Sequence, residues 1–273
     1  MTNLTKLFKV DLHMHSTFSD GVLTPTELVI RAYKKGMSVA ALTDHDTVDG
    51  LDEMISAGQK KDIRILPAVE LSSYAEHEVH VLGYGIRYKD ESFIKALQKS
   101  KDCRYERNIE LKKRLKEVGI DLDDIDFGEK NFGRVKIAKL MIERGYVSTI
   151  DEAFVKYLGK EGLAYVTGNR LAPQDAVRTI VDNGGVAVLA HPKKMFMNGE
   201  LEDIIKELVP AGLGGLECYY PGHSFGEIRI FTDLASKYGL LATGGSDYHG
   251  PEEKDINCIL QEQVLEKLGL ELK

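Results

Sequence analysis

Histidines and acidic residues of this chain fall together in short patches. The patches are DLHMHS (11–16), TDHD (43–46), VE (69–70), EVH (78–80), AHP (190–192) and GGSDYH (244–249). They hold six of the eight histidines, and one more carboxylate, Asp20, follows the first patch. Imidazole and carboxylate together are the ligand set that Zn, Mn and Fe take at hydrolytic centres. The residue types therefore predict a polynuclear metal site in an enzyme.

Nine side chains in or beside these patches are candidate metal ligands. Taken singly, a histidine in an apolar run, such as His80 or His191, is more often a core residue hydrogen-bonded to the backbone. The whole set, which extends from residue 13 to residue 249, favours the metal site over that interpretation. The candidates are His13, His15, Asp20, His45, Glu70, His80, His191, Asp247 and His249.

Seven short apolar runs bounded by Gly, Pro, Asp or Ser are typical of strands. They cover residues 6–13, 38–44, 63–71, 78–86, 184–191, 212–220 and 240–247. Helical segments lie between most of them. One has a capping box at Thr24 and Glu27 and ends at Gly36, and others begin at Pro173, Glu200 and Phe225. Alternating strands and helices predict a parallel α/β sheet or barrel.

The candidate ligands lie where the predicted strands end. His13, His45, Glu70, His191 and Asp247 all close their runs. In a β/α barrel the C-terminal strand ends carry the active site, so these side chains are expected to meet at one rim. The connection between residues 71 and 78 is too short for a parallel crossover. We therefore predict a hairpin there, which returns residue 80 to the same rim.

Residues 87–170 interrupt this alternation with helical segments alone. A long charged helix is predicted over 90–118, followed by helical segments at 135–144 and 150–158. We expect residues 87–170 to be a helical insertion over the barrel mouth rather than an independent domain. Residues 1–86 and 171–273 would then form the barrel.

Length and composition bound the function. A chain of 273 residues can bury one large core, and its net charge of −7 argues against nonspecific adhesion to nucleic acid or anionic membrane. Cys103, Cys218 and Cys258 form no CxxC pair and are expected to be reduced thiols. No segment has the length of a signal peptide or a membrane span. We expect a cytoplasmic protein without a membrane or an obligate protein partner.

The quoted motifs resemble those of the PHP family, the polymerase and histidinol phosphatase metal-dependent phosphoesterases. The matching segments DLHMHSTFSDG, TDHDTVDG, HVLGYGI, LAHP and GSDYHG extend over roughly residues 8–250. The chain is similar in particular to the stand-alone branch with a helical insertion, which includes 3′,5′-nucleoside bisphosphate phosphatases and 5′-to-3′ exonucleases. The resemblance implies a distorted seven-stranded β/α barrel, in agreement with the count of apolar runs.

The resemblance also implies how two to three divalent ions (Mn, Zn or Fe) would be held. The first ion would take His13, His15, Glu70 and Asp247. The second would take Glu70, His80 and His191, with Glu70 bridging, and the third would take Asp20, His45 and His249. A hydroxide that bridges two metals would attack phosphorus in line, so no protein nucleophile is expected.

Fewer residues indicate the substrate. NFGRVKIA (131–138) stands where the family branch has a Gly-Arg-Pro-His motif that contacts substrate phosphate. Arg134 is retained, whereas Val135 and Lys136 replace Pro and His. His223 matches a family position near the phosphate, and Lys160 and Tyr165 match a segment that borders the pocket.

The predicted helix 90–118 is basic, through Arg104, Arg107, Lys112, Lys113, Arg114 and Lys116. A solvated face paired with glutamates at i,i+4 is the favoured interpretation. The alternative is that Arg104 and Arg107 receive a polynucleotide backbone. That alternative is weaker, because Tyr105 is the one aromatic residue placed to stack a base.

The expected reaction removes a terminal phosphate from a small nucleotide such as a 3′,5′-nucleoside bisphosphate. The alternatives are a 5′-to-3′ exonuclease on short oligonucleotides, a phosphatase of histidinol phosphate or another small phosphomonoester, and a non-catalytic metal-binding module. An amidohydrolase shares the barrel and the HxH opening. It is disfavoured because no predicted strand ends in a lysine that could be carbamylated to bridge two metals.

Overall fold

Two compact units make up the protein. A computed structural model describes residues 6–75, 78–127, 133–167, 171–197, 199–251 and 255–271. The chain divides into Met1–Leu97 with Leu171–Lys273, the barrel unit, and Gln98–Arg170, the helical unit. Within the described ranges, no helix combines the length and the apolar character that a membrane span requires.

The strands form one nearly closed barrel sheet in the order β7-β6-β5-β4-β3-β2-β1-β8. Their bounds are β1 Leu7–Asp11, β2 Val39–Leu42, β3 Arg64–Tyr74, β4 Glu78–Tyr84, β5 Val186–Leu189, β6 Leu213–Tyr219, β7 Leu241–Gly244 and β8 Cys258–Gln261. Neighbours are parallel except that β4 is antiparallel to β3 and β5, and β8 is antiparallel to β1. Beyond the ends of β1 and β7, the Leu12 N–H donates to the Gly244 carbonyl oxygen at 3.3 Å, and a parallel bridge joins Met14 to Tyr248.

The seven predicted strands and the hairpin are confirmed. In the hairpin, β3 pairs with β4 with Ser72 opposite His80. An eighth strand, β8, was not predicted and makes the sheet larger than the expected seven strands. It has only four residues, and successive residues alternate between buried and exposed, as expected for an edge strand that pairs with β1. A run this short does not stand out from a loop in the sequence.

Ten α-helices lie in the described part of the chain. Their bounds are α1 Pro25–Lys34, α2 Leu51–Lys61, α3 Glu91–Glu117, α4 Arg134–Glu143, α5 Ile150–Ala153, α6 Pro173–Asp182, α7 Lys193–Met197, α8 Leu201–Leu208, α9 Phe225–Lys237 and α10 Glu262–Lys267. The capping box predicted for α1 is present in both directions between Thr24 and Glu27. Gly36 follows the helix with φ 69°, a left-handed conformation that glycine adopts without steric cost.

The barrel unit has two apolar cores, one on each face of the sheet. Successive side chains of a strand point to opposite faces, so the residues of β2 divide between them. Val39 and Ala41 pack in the core that also contains Leu265 of α10, whereas Ala40 and Leu42 pack in the core that contains Leu28 of α1 and residues of the other outer helices. Strands buried on both faces explain why these runs are continuously apolar.

The helical unit has its own core, which includes Leu111, Leu115, Phe127, Ile137 and Met141. The segment predicted as one helix over 150–158 is instead the short helix α5 followed by a π-helical segment, Phe154–Leu158. The π-helix is closed by the Gly159 N–H, which donates to the Phe154 carbonyl oxygen at 2.8 Å. Sequence patterns do not distinguish i→i+5 from i→i+4 hydrogen bonding, so the error lies in the helix type.

The basic helix α3 is only partly a solvated face. The predicted i,i+4 pairing is confirmed for Arg114 and Glu110, at 3.0 Å. The solvated interpretation is wrong for Arg107, whose side chain is buried and donates to the Asn108 side-chain oxygen at 2.8 Å. A hydrogen bond to the neighbouring side chain thus replaces part of the hydration that Arg107 loses on burial.

Candidate metal centre

The nine candidate ligands come together in the barrel unit. Two of them lie on the paired strands β3 and β4, and the other seven lie in the segments that follow β1, β2, β5 and β7. Since parallel strands β1, β2, β5 and β7 end at the same rim, segments far apart in sequence meet there. In chain order the residues are His13, His15, Asp20, His45, Glu70, His80, His191, Asp247 and His249.

Glu70 lies at the middle of the cluster and is completely buried. Its two carboxylate oxygens face different imidazoles. Oε2 lies 3.2 Å from His13 Nε2, 3.1 Å from His15 Nε2 and 3.2 Å from His45 Nδ1. Oε1 lies 2.9 Å from His80 Nδ1 and 3.1 Å from His191 Nε2. A carboxylate that has imidazoles near both oxygens can be shared between two ions, one on each oxygen.

Two further carboxylates complete the cluster. Asp247 Oδ1 lies 3.1 Å from both His13 Nε2 and His15 Nε2. Asp20 lies on the other side of His15, with Oδ1 3.3 Å from His249 Nε2 and Oδ2 3.8 Å from His45 Nε2. Each carboxylate is therefore surrounded by imidazole nitrogens, as in metal centres with mixed histidine and carboxylate ligands.

Three groups of ligand atoms are close enough together to hold an ion. Within each group the atoms lie within 4.8 Å of one another. The groups are His13, His15, Glu70 and Asp247; His45, Glu70 and His80; and His15, Asp20, His45 and His249. The first coincides with the set that the family resemblance implies. In the second, His45 stands where the resemblance placed His191, and in the third His15 is added.

Buried polar atoms at the site fit metal coordination. His15 is completely buried, and neither ring nitrogen makes a hydrogen bond of good geometry to the described residues. The same holds for Asp20 Oδ1. Buried polar atoms are nearly always hydrogen-bonded, so such atoms pointing at one another indicate a bound cation. Imidazole and carboxylate donors suit Zn, Mn or Fe.

Burial and neighbouring carboxylates shift the pKa values of several site histidines in opposite directions in the metal-free protein. Burial alone would lower the pKa of His15, but the Asp247 and Glu70 carboxylates, each 3.1 Å from its Nε2, outweigh burial and raise it to about 10. Burial is likewise outweighed at His80, where Glu70 raises the pKa to about 10. For His45 burial prevails and lowers the pKa to about 4. Without metal, protons therefore take the place of cations beside the carboxylates.

Left-handed backbone conformations occur at the site. Of the four described non-glycine residues with positive φ, three belong to the site patches: Asp46 (54°), His191 (27°) and Asp247 (54°). Asp46 Oδ1 accepts a hydrogen bond from the Ser72 N–H at 2.9 Å. Such conformations persist where surrounding contacts stabilise them, and they occur often at functional sites.

Two buried aspartates hold the loops that carry ligands. Asp44 accepts hydrogen bonds from the Ser16 N–H (2.7 Å), the Ser16 hydroxyl (2.6 Å) and the Ser19 hydroxyl (2.6 Å). Asp11 accepts from the Ser246 N–H at 2.8 Å and the Ser246 hydroxyl at 2.7 Å. Burial raises the pKa of both carboxyls despite these hydrogen bonds. Asp44 thus orders the loop before Asp20, and Asp11 orders the loop before Asp247.

Sequence reasoning missed one further buried carboxylate, Glu217 on β6. Its Oε1 lies 3.0 Å from His13 Nδ1, and its Oε2 accepts a hydrogen bond from the His191 backbone N–H at 2.7 Å. The available signal was a single acidic residue in the otherwise apolar and glycine-rich run GLGGLECYY (212–220). A charged residue in a buried strand requires polar partners and is therefore a candidate site residue.

His223 is buried in the loop that follows β6. Its Nδ1–H donates to the Cys218 carbonyl oxygen at 3.0 Å, so the neutral ring carries its lone pair on Nε2. Nε2 makes no hydrogen bond to the described residues. Burial lowers the pKa of His223 below its ordinary value. Tyr220 lies between His223 and the cluster, with its ring 5.0 Å from the His223 ring and its hydroxyl 3.5 Å from Asp247 Oδ2.

The other predicted substrate contacts belong to the helical unit. Arg134 begins α4, and its Nη1 donates to the Leu158 carbonyl oxygen at 3.2 Å, at the end of the π-helical segment. Lys136 is half-buried on the same helix, and Lys160 is exposed. Tyr165 accepts a hydrogen bond from Arg114 through its carbonyl oxygen. Residues 131 and 132 of the predicted motif lie outside the described residues.

The chain matches the PHP domain over residues 11–207. It is 36% identical over 254 residues to a 3′,5′-nucleoside bisphosphate phosphatase of Chromobacterium violaceum, which covers 89% of this chain and 88% of the relative. It is 34% identical over 248 residues to a 5′-3′ exoribonuclease of Haemophilus influenzae, which covers 89% of this chain and 90% of the relative.

A solved structure from Chromobacterium violaceum has a similar fold, with a TM-score of 0.81 and 33% sequence identity. The alignment covers 92% of this chain and 91% of that one. That structure is described as an amidohydrolase with bound sulfate and no metal.

Proposed function

The chain belongs to the PHP family of metal-dependent phosphoesterases, and we propose that it removes a terminal phosphate from a small nucleotide such as a 3′,5′-nucleoside bisphosphate. The observation that carries this proposal is the position of Glu70. Its two oxygens face separate groups of imidazoles, as a carboxylate shared between two ions requires. The 36% identity to a bisphosphate phosphatase supports the choice of substrate.

We assign two or three divalent ions, Mn, Zn or Fe, to the nine ligands. The first ion would be held by His13, His15, Glu70 and Asp247. The second would be held by Glu70, His80 and His191, and the third by Asp20, His45 and His249. When bound, close divalent ions lower the pKa of a water molecule and neutralise charge on phosphoryl oxygens. No side chain of the protein is assigned the role of nucleophile.

The protein itself orients the ligands and fixes the tautomer of His13. Since a carboxylate can only accept, the hydrogen bond between Glu217 and His13 requires the proton on His13 Nδ1. His13 Nε2 is then left as the lone-pair donor, directed toward Glu70 and Asp247. The buried position of the cluster strengthens its electrostatic interactions with a phosphoryl group.

We assign phosphate contacts to Arg134 and His223. A guanidinium presents paired donors that match phosphate oxygens. His223 offers only an acceptor at Nε2 while it is neutral, so its contact with a phosphate oxygen requires a proton on Nε2, which a bound anion favours. Lys136 and Lys160 would add positive charge without directional recognition, and they are the weaker assignments.

A second candidate is a 5′-to-3′ exonuclease on short oligonucleotides, favoured by the 34% identity to the exoribonuclease of Haemophilus influenzae. Both reactions hydrolyse a phosphoester at the same kind of centre, and they differ in the group that leaves. The amidohydrolase description of the similar structure does not lead us to prefer C–N hydrolysis. None of the eight strands in the described residues ends in lysine, and sulfate resembles phosphate in shape and charge.

The test is phosphate release from 3′-phosphoadenosine 5′-phosphate in the presence of added Mn²⁺, with the nucleotide product identified by chromatography. The proposal expects release of phosphate and formation of the 5′-monophosphate. A 5′-phosphorylated tetranucleotide assayed in parallel tests the second candidate. Mononucleotides from that substrate, with no phosphate release from the bisphosphate by the metal-loaded enzyme, would replace the first proposal by the second.

We propose that the enzyme acts in the cytoplasm on small, freely diffusing nucleotides. Cys103, Cys218 and Cys258 are free, and Cys218 and Cys258 are buried. Free thiols are typical of reducing compartments. The expected partners are a small phosphorylated substrate and short oligonucleotides, without a membrane or an obligate protein partner.

A further inference from the structure

Glu217 makes hydrogen bonds to two candidate ligands and is completely buried. Each carboxylate oxygen has one of these partners. Oε1 lies 3.0 Å from His13 Nδ1, and Oε2 accepts a hydrogen bond from the His191 N–H at 2.7 Å. Neither oxygen belongs to a group of ligand atoms that could hold an ion. Glu217 therefore lies behind the ligands rather than among them.

One hydrogen bond fixes the tautomer of His13, and the other holds the backbone of His191. The bond to His13 places the ring proton on Nδ1 and directs Nε2 at Glu70 and Asp247. The bond to His191 holds a backbone N–H at a residue whose φ is 27°, a conformation that is unfavourable for a β-branched or bulky side chain. The His191 ring then lies with Nε2 3.1 Å from Glu70 Oε1.

We propose that Glu217 is a positioning residue that sets one ligand of each of two neighbouring ions at once. This inference rests on the proposed metal centre, in which His13 belongs to the first ion and His191 to the second. His13 contacts Glu70 Oε2 and His191 contacts Glu70 Oε1, so Glu217 acts on both sides of the shared carboxylate. A buried carboxylate requires hydrogen-bond partners, and both partners of Glu217 are groups of candidate ligands.

The decisive variant is Glu217→Gln, which preserves shape but has one acceptor oxygen. Whichever way the amide is turned, its NH₂ group faces either the His13 Nδ1–H or the His191 N–H, and one of the two hydrogen bonds is lost. Loss of such outer partners typically weakens metal binding by about 10–100-fold. The expected result is this loss for the ion at His13 or for the ion at His191, with the ion at Asp20, His45 and His249 unaffected.

Zn²⁺ affinities are measured by competition with a chromogenic chelator, and metal content by elemental analysis, so the readout does not depend on activity. Glu202→Gln is the matched control, because Glu202 is a half-buried carboxylate on α8 that pairs with Lys237 at 2.7 Å, away from the ligands. Thermal unfolding of the metal-free forms separates positioning from general destabilisation. Unchanged affinities, or equal losses at all ions together with a lower metal-free melting temperature, would overturn the inference.

A measurement on the unaltered protein covers the case in which Glu217→Gln does not fold. Nitrogen NMR of histidine-labelled, Zn²⁺-loaded protein reports the protonation of each ring nitrogen. The inference expects a hydrogen-bonded proton on Nδ1 of His13, and a Zn²⁺-bound Nδ1 would contradict it. Failure of the unaltered protein to bind Zn²⁺ or Mn²⁺ at all would instead refute the proposed function.

Discussion

Asp247 contacts His13 through both its backbone and its side chain. The Asp247 N–H donates to the His13 carbonyl oxygen at 2.7 Å, and Asp247 Oδ1 lies 3.1 Å from His13 Nε2. The two contacts connect the segment that follows β7 with the segment that follows β1. They also explain the left-handed backbone of Asp247, because the residue must turn both groups toward His13.

Asp247→Asn should abolish metal-dependent activity with little change in fold. Asn tolerates the same positive φ and keeps the shape of the side chain, but it removes one negative charge from the ligand set. We expect the rate of phosphate release to fall by at least about 100-fold. Loss of a residue that only hydrogen-bonds a metal ligand lowers activity by up to about that factor, and Asp247 is itself a candidate ligand. Metal content and phosphate release are the measurements. A variant with full metal content and unaltered rate would show that Asp247 is not a ligand.

Chelation should lower the melting temperature as well as the activity. A ligand that binds only the folded state at 100 times its dissociation constant contributes about 2.7 kcal/mol of stability. For a chain of this size the change corresponds to roughly 5–10 °C. Thermal unfolding is compared before and after removal of metal, and after Mn²⁺ is restored. The same melting temperature in all three states would argue against an ordered metal centre.

The metal-free protein should be less stable at pH 9 than at pH 6.5. Burial opposes protonation of His15 and His80, but neighbouring carboxylates outweigh it and raise the pKa of each to about 10. A pKa above the unfolded value stabilises the folded state below that unfolded value, and the contribution is lost as pH rises toward 10. Metal ions replace these protons, so the metal-loaded protein should not lose stability over this range. Thermal unfolding of both forms between pH 6.5 and pH 9 tests whether only the metal-free form loses stability.

Asp44→Asn should loosen the loop that carries Asp20. Asp44 accepts three hydrogen bonds from Ser16 and Ser19, and an amide can accept only with its one oxygen. Leaving buried donors unsatisfied costs about 1–3 kcal/mol, so the free energy of unfolding should fall by that amount. Binding of the ion at Asp20, His45 and His249 should weaken more than binding at Asp247. Denaturant unfolding gives the first quantity and metal titration the second.

Arg134→Lys should raise KM for a bisphosphate substrate with a smaller effect on kcat. A lysine keeps the charge but loses the paired donors, and hydrogen bonds to charged groups contribute about 1.5–3 kcal/mol. An increase of KM by roughly 10–100-fold is expected. Arg144→Lys is the matched control, since Arg144 lies in the same unit and pairs with Asp124 at 2.6 Å. Equal KM values in the two variants would remove Arg134 from the substrate contacts.

The strands of the barrel were predictable because each of the seven is a compact apolar run bounded by turn residues. Helix α1 was predictable for a different reason, since Thr24, Glu27 and Gly36 mark both of its ends. Helix α2 has no such mark, because its N-cap residue Gly50 makes no side-chain hydrogen bond. The sequence therefore located a strand or helix where turn or capping residues mark its ends.

Parts of the site depend on contacts that no local pattern contains. Glu217 and His13 are 204 positions apart, and nothing near Glu217 in the sequence indicates its partner. The position of His45 beside Glu70 follows from a parallel bridge between these two residues, and the sequence does not specify that pairing. The resemblance to a family supplied the list of ligands, whereas the supporting carboxylates are apparent only from the three-dimensional structure.

The hydrogen bond from Leu12 to the Gly244 carbonyl oxygen has a consequence for how the protein is synthesised. The ribosome completes β1 to β4 and then the helical unit, which has its own core, well before β5 to β7 exist. Until then β4 is an open sheet edge, able to pair with another chain. The nascent chain lacks His191, Asp247 and His249 throughout this interval. Barrel closure and assembly of the full ligand set therefore both wait for synthesis of the segment that follows β7.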